Sequence, residues 1–328
     1  MHPKIILIHP PLTKPTEPPA GIAKLSSCLK ANGIEHSVID ANLESILYLL
    51  KDTSSKNKST NRWTARACKN RESNLAALQD VTTYQNISRY RRVVADTNHL
   101  LNVAGKCCGV DLSLADYRDL SLSPVKSTDL ISAADKSQTN PFYPYFQHRL
   151  INALEENPDF IGFSLNYLSQ ALCTFAMIGF VKQIAPQQKI ILGGSLITSW
   201  MKLGIHKKIF QGLVDEMVAG PGEEKLLKLL GVKKGLLNCP PDYSGFPLTE
   251  YFSTGVILPY SSASGCYWRK CAFCPEKAEG NAYLPLEASQ VTEELGSLTK
   301  QMNPSLIHLL DSSMSPLLLS SLANTPPG

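Results

Sequence analysis

Short apolar runs, each closed by glycine or proline and followed by a segment with helical spacing, set the rhythm of this chain. The first, Lys4-Ile-Ile-Leu-Ile8, is rich in β-branched residues and ends at His9-Pro10-Pro11, which predicts a buried parallel strand running into a loop. Residues 21–31 then place Ile22, Leu25 and Leu29 at helical spacing and stop at Asn32-Gly33, a C-terminal signal. A second strand over residues 37–40 completes a βαβ unit.

The same alternation resumes with a strand over residues 159–164, a helix over 170–184 and a strand over 189–192 ending in Gly193-Gly194. A strand over 214–218 runs into Gly220-Pro221-Gly222-Glu223, and a helix follows over 224–230. Strands alternating with helices predict a doubly wound parallel sheet of the Rossmann or flavodoxin-like kind, with ligands at the carboxyl ends of its strands. This first domain spans residues 1–235. It is interrupted by a polar insert over residues 42–155, too long for a loop, in which helices are predicted over 87–101 and 145–154 and a mobile stretch over 52–60. The proline-rich residues 236–255 read as a linker. Residues 256–328 then open a second unit: a strand over 256–260, a cysteine-bearing loop, a helix over 286–302 and a strand over 306–310 with Asp311 at its carboxyl end. Its order suits the start of a (β/α) TIM-like barrel.

The composition of the 328 residues, 43% apolar and 18% charged, supports packed cores. A net charge of +4, with much of the Lys and Arg excess between residues 51 and 71, gives no basic face for nucleic acid. The N-terminus lacks a secretory pattern, and the apolar stretch 171–181 is shorter than the ~20 residues of a membrane span. The expectation is a cytoplasmic protein. There the nine cysteines are thiols or ligands rather than disulfides. Cys28 and Cys173 read as core residues, and Cys68, Cys107, Cys108 and Cys239 show no interpretable spacing.

Only Cys266, Cys271 and Cys274 form a pattern, in Gly265-Cys266-Tyr-Trp-Arg-Lys-Cys271-Ala-Phe-Cys274-Pro275 directly after a predicted strand. Three thiolates on one short loop suit three irons of a [4Fe–4S] cluster, leaving the fourth open to chelate S-adenosylmethionine. A zinc site is the bland alternative, and it would recruit Cys239 or His308 as fourth ligand. Through these cysteines, Phe273 and the strand-then-loop placement, the chain resembles the radical S-adenosylmethionine superfamily, although that family more often has three residues between its first two cysteines. The resemblance implies that Phe273 lies near the adenine and that an electron donor such as flavodoxin or ferredoxin is needed. Asp311 is a second candidate for cofactor contact, or an N-cap for the following helix. Glu276, Lys277 and Glu279 read as a solvated turn, and Tyr267 and Trp268 as shields of the cluster or as packing beneath it. Glu223 and Glu224 complement a helix dipole.

The first domain is similar to the cobalamin-binding domains fused to many members of that superfamily. The likeness rests on His9-Pro-Pro-Leu, Pro18-Pro19-Ala-Gly21, Gly162-Phe-Ser164-Leu165, Gly193-Gly194-Ser195 and Gly220-Pro-Gly222-Glu223. It implies cobalamin contacts at Ser164, Leu165, Gly193, Gly194, Gly220 and Gly222. The Asp-x-His-x-x-Gly motif that supplies an axial histidine is missing, and His9 reads as a loop histidine capping the strand end. An empty docking scaffold is the alternative. With Pro241-Asp-Tyr-Ser-Gly-Phe-Pro-Leu ahead of the cysteine loop, the resemblance implies methylation or another modification of a carbon centre in a peptide or small molecule. Barrels of that family have about six strands, whereas ~54 residues follow Cys274. The resemblance thus implies a fragment or completion by another chain; a non-catalytic assembly module is the competing reading.

Overall fold

In the computed structural model, which describes residues 3–56 and 61–327, the apolar runs form one five-stranded parallel sheet. In space the strands follow the order His36–Asp40, Ile5–His9, Phe160–Ser164, Lys189–Gly193 and Glu216–Met217. The chain order reverses between Ile5–His9 and Phe160–Ser164, so the switch point lies beside the carboxyl ends of those two strands, at His9 and Ser164. Every residue of Ile5–His9 is buried, as its continuous apolar run requires of a central parallel strand. The last strand is shorter than expected, only Glu216–Met217.

Because side chains alternate across a strand, Ile6 and Ile8 enter one core and Ile5 and Leu7 the other. The first core is sealed by the insert. Helix Leu168–Ile184 is apolar all round and is sandwiched between the sheet and insert helix Ser127–Asp135. A Cβ on Gly179 would stand 2.0 Å from the Ala134 carbonyl oxygen, so this helix pair closes only over a glycine. The two helices expected in the insert are longer, Ile87–Lys106 and Tyr143–Glu155, and several others accompany them, with a hairpin of Val110–Leu112 and Tyr117–Asp119. Of the stretch expected to be mobile, the backbone is helical through Lys56, and residues 57–60 lie outside the described residues.

Residues 236–255, expected as a linker, contain no regular element and lie packed as a strap, with Tyr243 and Phe246 buried in the second core and Tyr251 and Phe252 in the first. The Tyr251 hydroxyl donates to Asp40 Oδ2 at 2.5 Å, and Lys30 pairs with Asp242 at 2.8 Å. The unit beyond the strap also has no separate core. Its strands Ile257–Tyr260 and Leu306–Leu309 pair in parallel around helix Ala288–Met302, and Leu258, Tyr260, Val291 and Leu295 join the same cluster as Ile5 and Leu7. Helix Pro316–Asn324 follows, giving a β-α-β-α unit. Among the described residues no helix is long and apolar enough to cross a membrane.

Candidate functional site

The cysteine loop leaves the carboxyl end of Ile257–Tyr260 and is closed at its base. Ala263–Ser264 pairs antiparallel with Leu284–Pro285, and the Leu286 amide donates to the Ser262 carbonyl at 2.8 Å. Asp311, just past the neighbouring strand, grips the same base: its carboxylate accepts the Ala263 amide at 2.6 Å and the Ser262 hydroxyl at 2.9 Å. The helix that follows is N-capped at Ser315, so Asp311 is not its cap.

Gly265 begins the loop at φ +73°, and a Cβ there would lie 2.3 Å from the Ala282 carbonyl oxygen. Only glycine fits both constraints. Cys266 comes next, half-buried. The Ser313 hydroxyl, and then the backbone at Arg269 and Trp268, hold its thiol below the usual range, against the opposing effects of burial and, smaller, of Glu276. Ser313 Oγ also accepts the Tyr267 amide at 3.2 Å. Cys271 and Cys274 stand on a turn in which the Cys274 amide reaches the Cys271 carbonyl at 3.4 Å, and Cys274 precedes the short helix Pro275–Glu279. All three are free thiols.

Phe273 between them is 91% exposed, a ring with almost nothing packed on it. Trp268 lies beneath the Lys270 ammonium, 4.7 Å from its ring centre, and Tyr267 packs edge-on against Tyr283. Among the described residues, no three or more His, Cys, Asp or Glu side chains are grouped as a metal would need, so the three sulfurs are on one loop without being drawn together. The fourth ligands considered for zinc are committed elsewhere: His308 pairs with Glu17 at 2.8 Å, and Cys239, part of the strap, is buried. The three free thiols are of the ligand type that a thiolate-ligated centre uses.

Glu276 and Glu279, expected in a solvated turn, instead tie the loop down. Glu279 accepts from the Ser199 hydroxyl and, at 2.8 Å, from the Asn281 side-chain amide; Glu276 also accepts from Asn281, at 3.2 Å. Lys277 is exposed. Ser199 belongs to helix Ser195–Lys202, which begins right after Gly193-Gly194, so the cysteine loop rests against a helix rising from the carboxyl end of the sheet. No periodicity in the sequence reveals this tie.

At that end of the sheet, several expected ligand contacts serve the chain's own packing. Gly194, at φ +109°, sits where a Cβ would approach the Leu165 carbonyl oxygen to 2.3 Å. Leu165 is fully buried, and its amide donates to the Gly193 carbonyl at 2.7 Å. The Ser164 hydroxyl accepts from the Asn166 side chain at 3.1 Å. Gly222 packs near Leu25, while Gly220, at φ +73°, has open space where a Cβ would be and donates its amide to Thr198 Oγ at 2.9 Å. Glu223 and Glu224 sit in the first turn of Glu223–Leu229, as a helix dipole favours. His9 was read as a strand-end cap, but its Nδ1 is buried at the switch point with no hydrogen-bond partner. Burial lowers its pKa, with Asp40 opposing. No family model matches this chain, nor does any curated protein or solved structure.

Proposed function

We propose that this chain carries a radical S-adenosylmethionine site on the loop of Cys266, Cys271 and Cys274. The observation that carries the reading is the placement of three free thiols on one short loop that is closed at its base and gripped by Asp311. When bound, a [4Fe–4S] cluster with one open iron supplies the one-electron cleavage of S-adenosylmethionine to a 5′-deoxyadenosyl radical. The protein's own part is positional. Cys266, Cys271 and Cys274 hold the cluster, Ser313 keeps the first of them ready to ligate, and the exposed ring of Phe273 offers a face to the adenine. Asp311 and Glu279 fix the loop against its strand and against the sheet's helix.

In this reading, residues 256–327 are the opening of a barrel, and the sheet's carboxyl end takes a cobalamin that supplies a methyl group. Ser164, Gly220 and the unpartnered Nδ1 of the buried His9 are the polar groups or space there; Leu165, its side chain in the core, and Gly194, packed on the Leu165 backbone, do not fit that role. The substrate is a carbon centre in a peptide or small molecule, and a flavodoxin or ferredoxin supplies the electron. A non-catalytic assembly module is favoured instead by one observation: among the described residues the three sulfurs are not drawn together into a group that could hold a metal. Anaerobic reconstitution followed by reduction with S-adenosylmethionine separates the two. Release of 5′-deoxyadenosine supports the enzyme, a cluster without it supports the module, and zinc uptake without iron overturns the radical reading.

A further inference from the structure

Cys107 and Cys108 close helix Ile87–Lys106, in the insert and on a different element from the cysteine loop. Their sulfurs lie 3.6 Å apart, and both thiols are free, the first exposed and the second half-buried. The turn that presents them is held firmly. The Cys108 amide donates to the Gly105 carbonyl at 2.9 Å, and Gly109 follows at φ +71°. A Cβ on Gly105 would meet the Val110 carbonyl oxygen at 2.5 Å, so the hairpin presses directly on the helix end.

Adjacent residues have Cα atoms about 3.8 Å apart, short of the roughly 4.4–6.8 Å that disulfides span. The pair therefore resists direct oxidation and persists as a dithiol. Taking about 2.3 Å as the length of a bond from thiolate to a soft centre, sulfurs 3.6 Å apart enclose an angle of about 100° at one shared atom. A linear two-coordinate ion needs its sulfurs about 4.6 Å apart on the same scale. A tetrahedral ion needs further protein ligands, and among the described residues no group of three or more His, Cys, Asp or Glu is available to hold one. What remains is a pyramidal, three-coordinate thiophilic centre that brings its own third substituent.

We propose that Cys107 and Cys108 form a chelating site for a trivalent organoarsenical. In the binding step the hydrated arsenical, R–As(OH)2, loses its two As–O bonds and gains two As–S bonds. Each thiol proton leaves with one of the hydroxides as water, and arsenic stays trivalent throughout. Burial and the neighbouring thiol push Cys108 up to about 11, so it enters this exchange as a protonated thiol.

The test uses phenylarsine oxide on the full chain carrying C266S/C271S/C274S, which removes the other group of thiols. The expected result is one phenylarsenic unit per chain, mapped to the peptide holding Cys107-Cys108 and released by 2,3-dimercaptopropanol. Either single variant, C107S or C108S, is expected to bind about 100-fold more weakly, the loss of an intramolecular second bond. On the unsubstituted chain, phenylarsine oxide should shield both cysteines from maleimide alkylation. An adduct mapping elsewhere, single variants binding as tightly as the parent, or ready closure of a Cys107–Cys108 disulfide by oxidised glutathione would each overturn the proposal.

Discussion

Asp311 accepts the backbone amide of Ala263 at 2.6 Å across 48 residues of chain, joining the end of one parallel strand to the base of the loop that leaves the other. With the Ser262 hydroxyl on its second oxygen, the carboxylate does for the cysteine loop what a third strand would do by pairing. Asp311→Ala is expected to cost about 1–2 kcal/mol, since hydrogen bonds to a partly buried charge are lost. Urea unfolding measures the cost, and hydrogen exchange should quicken over residues 262–286 but not in the five-stranded sheet. Unchanged exchange there contradicts the role.

Ser313 is the largest single influence holding the Cys266 thiol low. Ser313→Ala should move the pH at which Cys266 becomes alkylated upward, while Cys28, buried and raised to about 11, stays unreactive in both proteins. Site-resolved mass spectrometry across a pH series reads both cysteines at once. An identical Cys266 profile in parent and variant rules out the hydroxyl as the support.

Gly265 is the backbone hinge of the site. Gly265→Ala combines positive φ with a Cβ 2.3 Å from a carbonyl oxygen, a strain of about 1–3 kcal/mol from the dihedral alone. The nearby Gly280, also at positive φ but with open space around it, isolates the steric part. Gly265→Ala should lower iron uptake more than Gly280→Ala, by chemical iron assay after reconstitution.

His9 makes the fold sensitive to acid. Its folded-state pKa lies below the ordinary imidazole value because burial penalises the charged ring more than Asp40 favours it. The unfolded chain therefore binds a proton first as pH falls, so stability is full above ~6.5 and declines below it until the folded pKa is passed. His9→Phe should flatten the difference in urea midpoint between pH 7.5 and pH 5.5. An equally steep loss in the variant shows that other groups carry it.

The sheet was legible because its strands are short β-branched runs closed by proline or glycine, and the burial that parallel pairing demands leaves that mark in the composition. The hairpin of Val110–Leu112 and Tyr117–Asp119 was not, since three-residue strands are too short for a period to show. Prolines made residues 236–255 look like a linker. The signal missed was aromatic: Tyr243, Phe246, Tyr251 and Phe252 are more apolar surface than a free linker carries. At the site, the cysteine spacing was visible, whereas Asp311 to Ala263 and Glu279 to Ser199 join residues far apart in sequence through single polar contacts, which no local pattern encodes. Leu165 was read as a ligand contact from its place at a strand end, whereas its side chain lies in the first core and its backbone packs on Gly194.

Cys266, Cys271 and Cys274 are proposed to hold one [4Fe–4S] cluster together. Iron and sulfide analysis with low-temperature electron paramagnetic resonance, on the anaerobically reconstituted chain beside C266A/C271A/C274A, tests it most directly. About four irons per chain are expected, with a reduced-cluster signal that shifts when S-adenosylmethionine is added, both lost in the triple variant. Zinc in place of iron, or the same iron content in the triple variant, would contradict it.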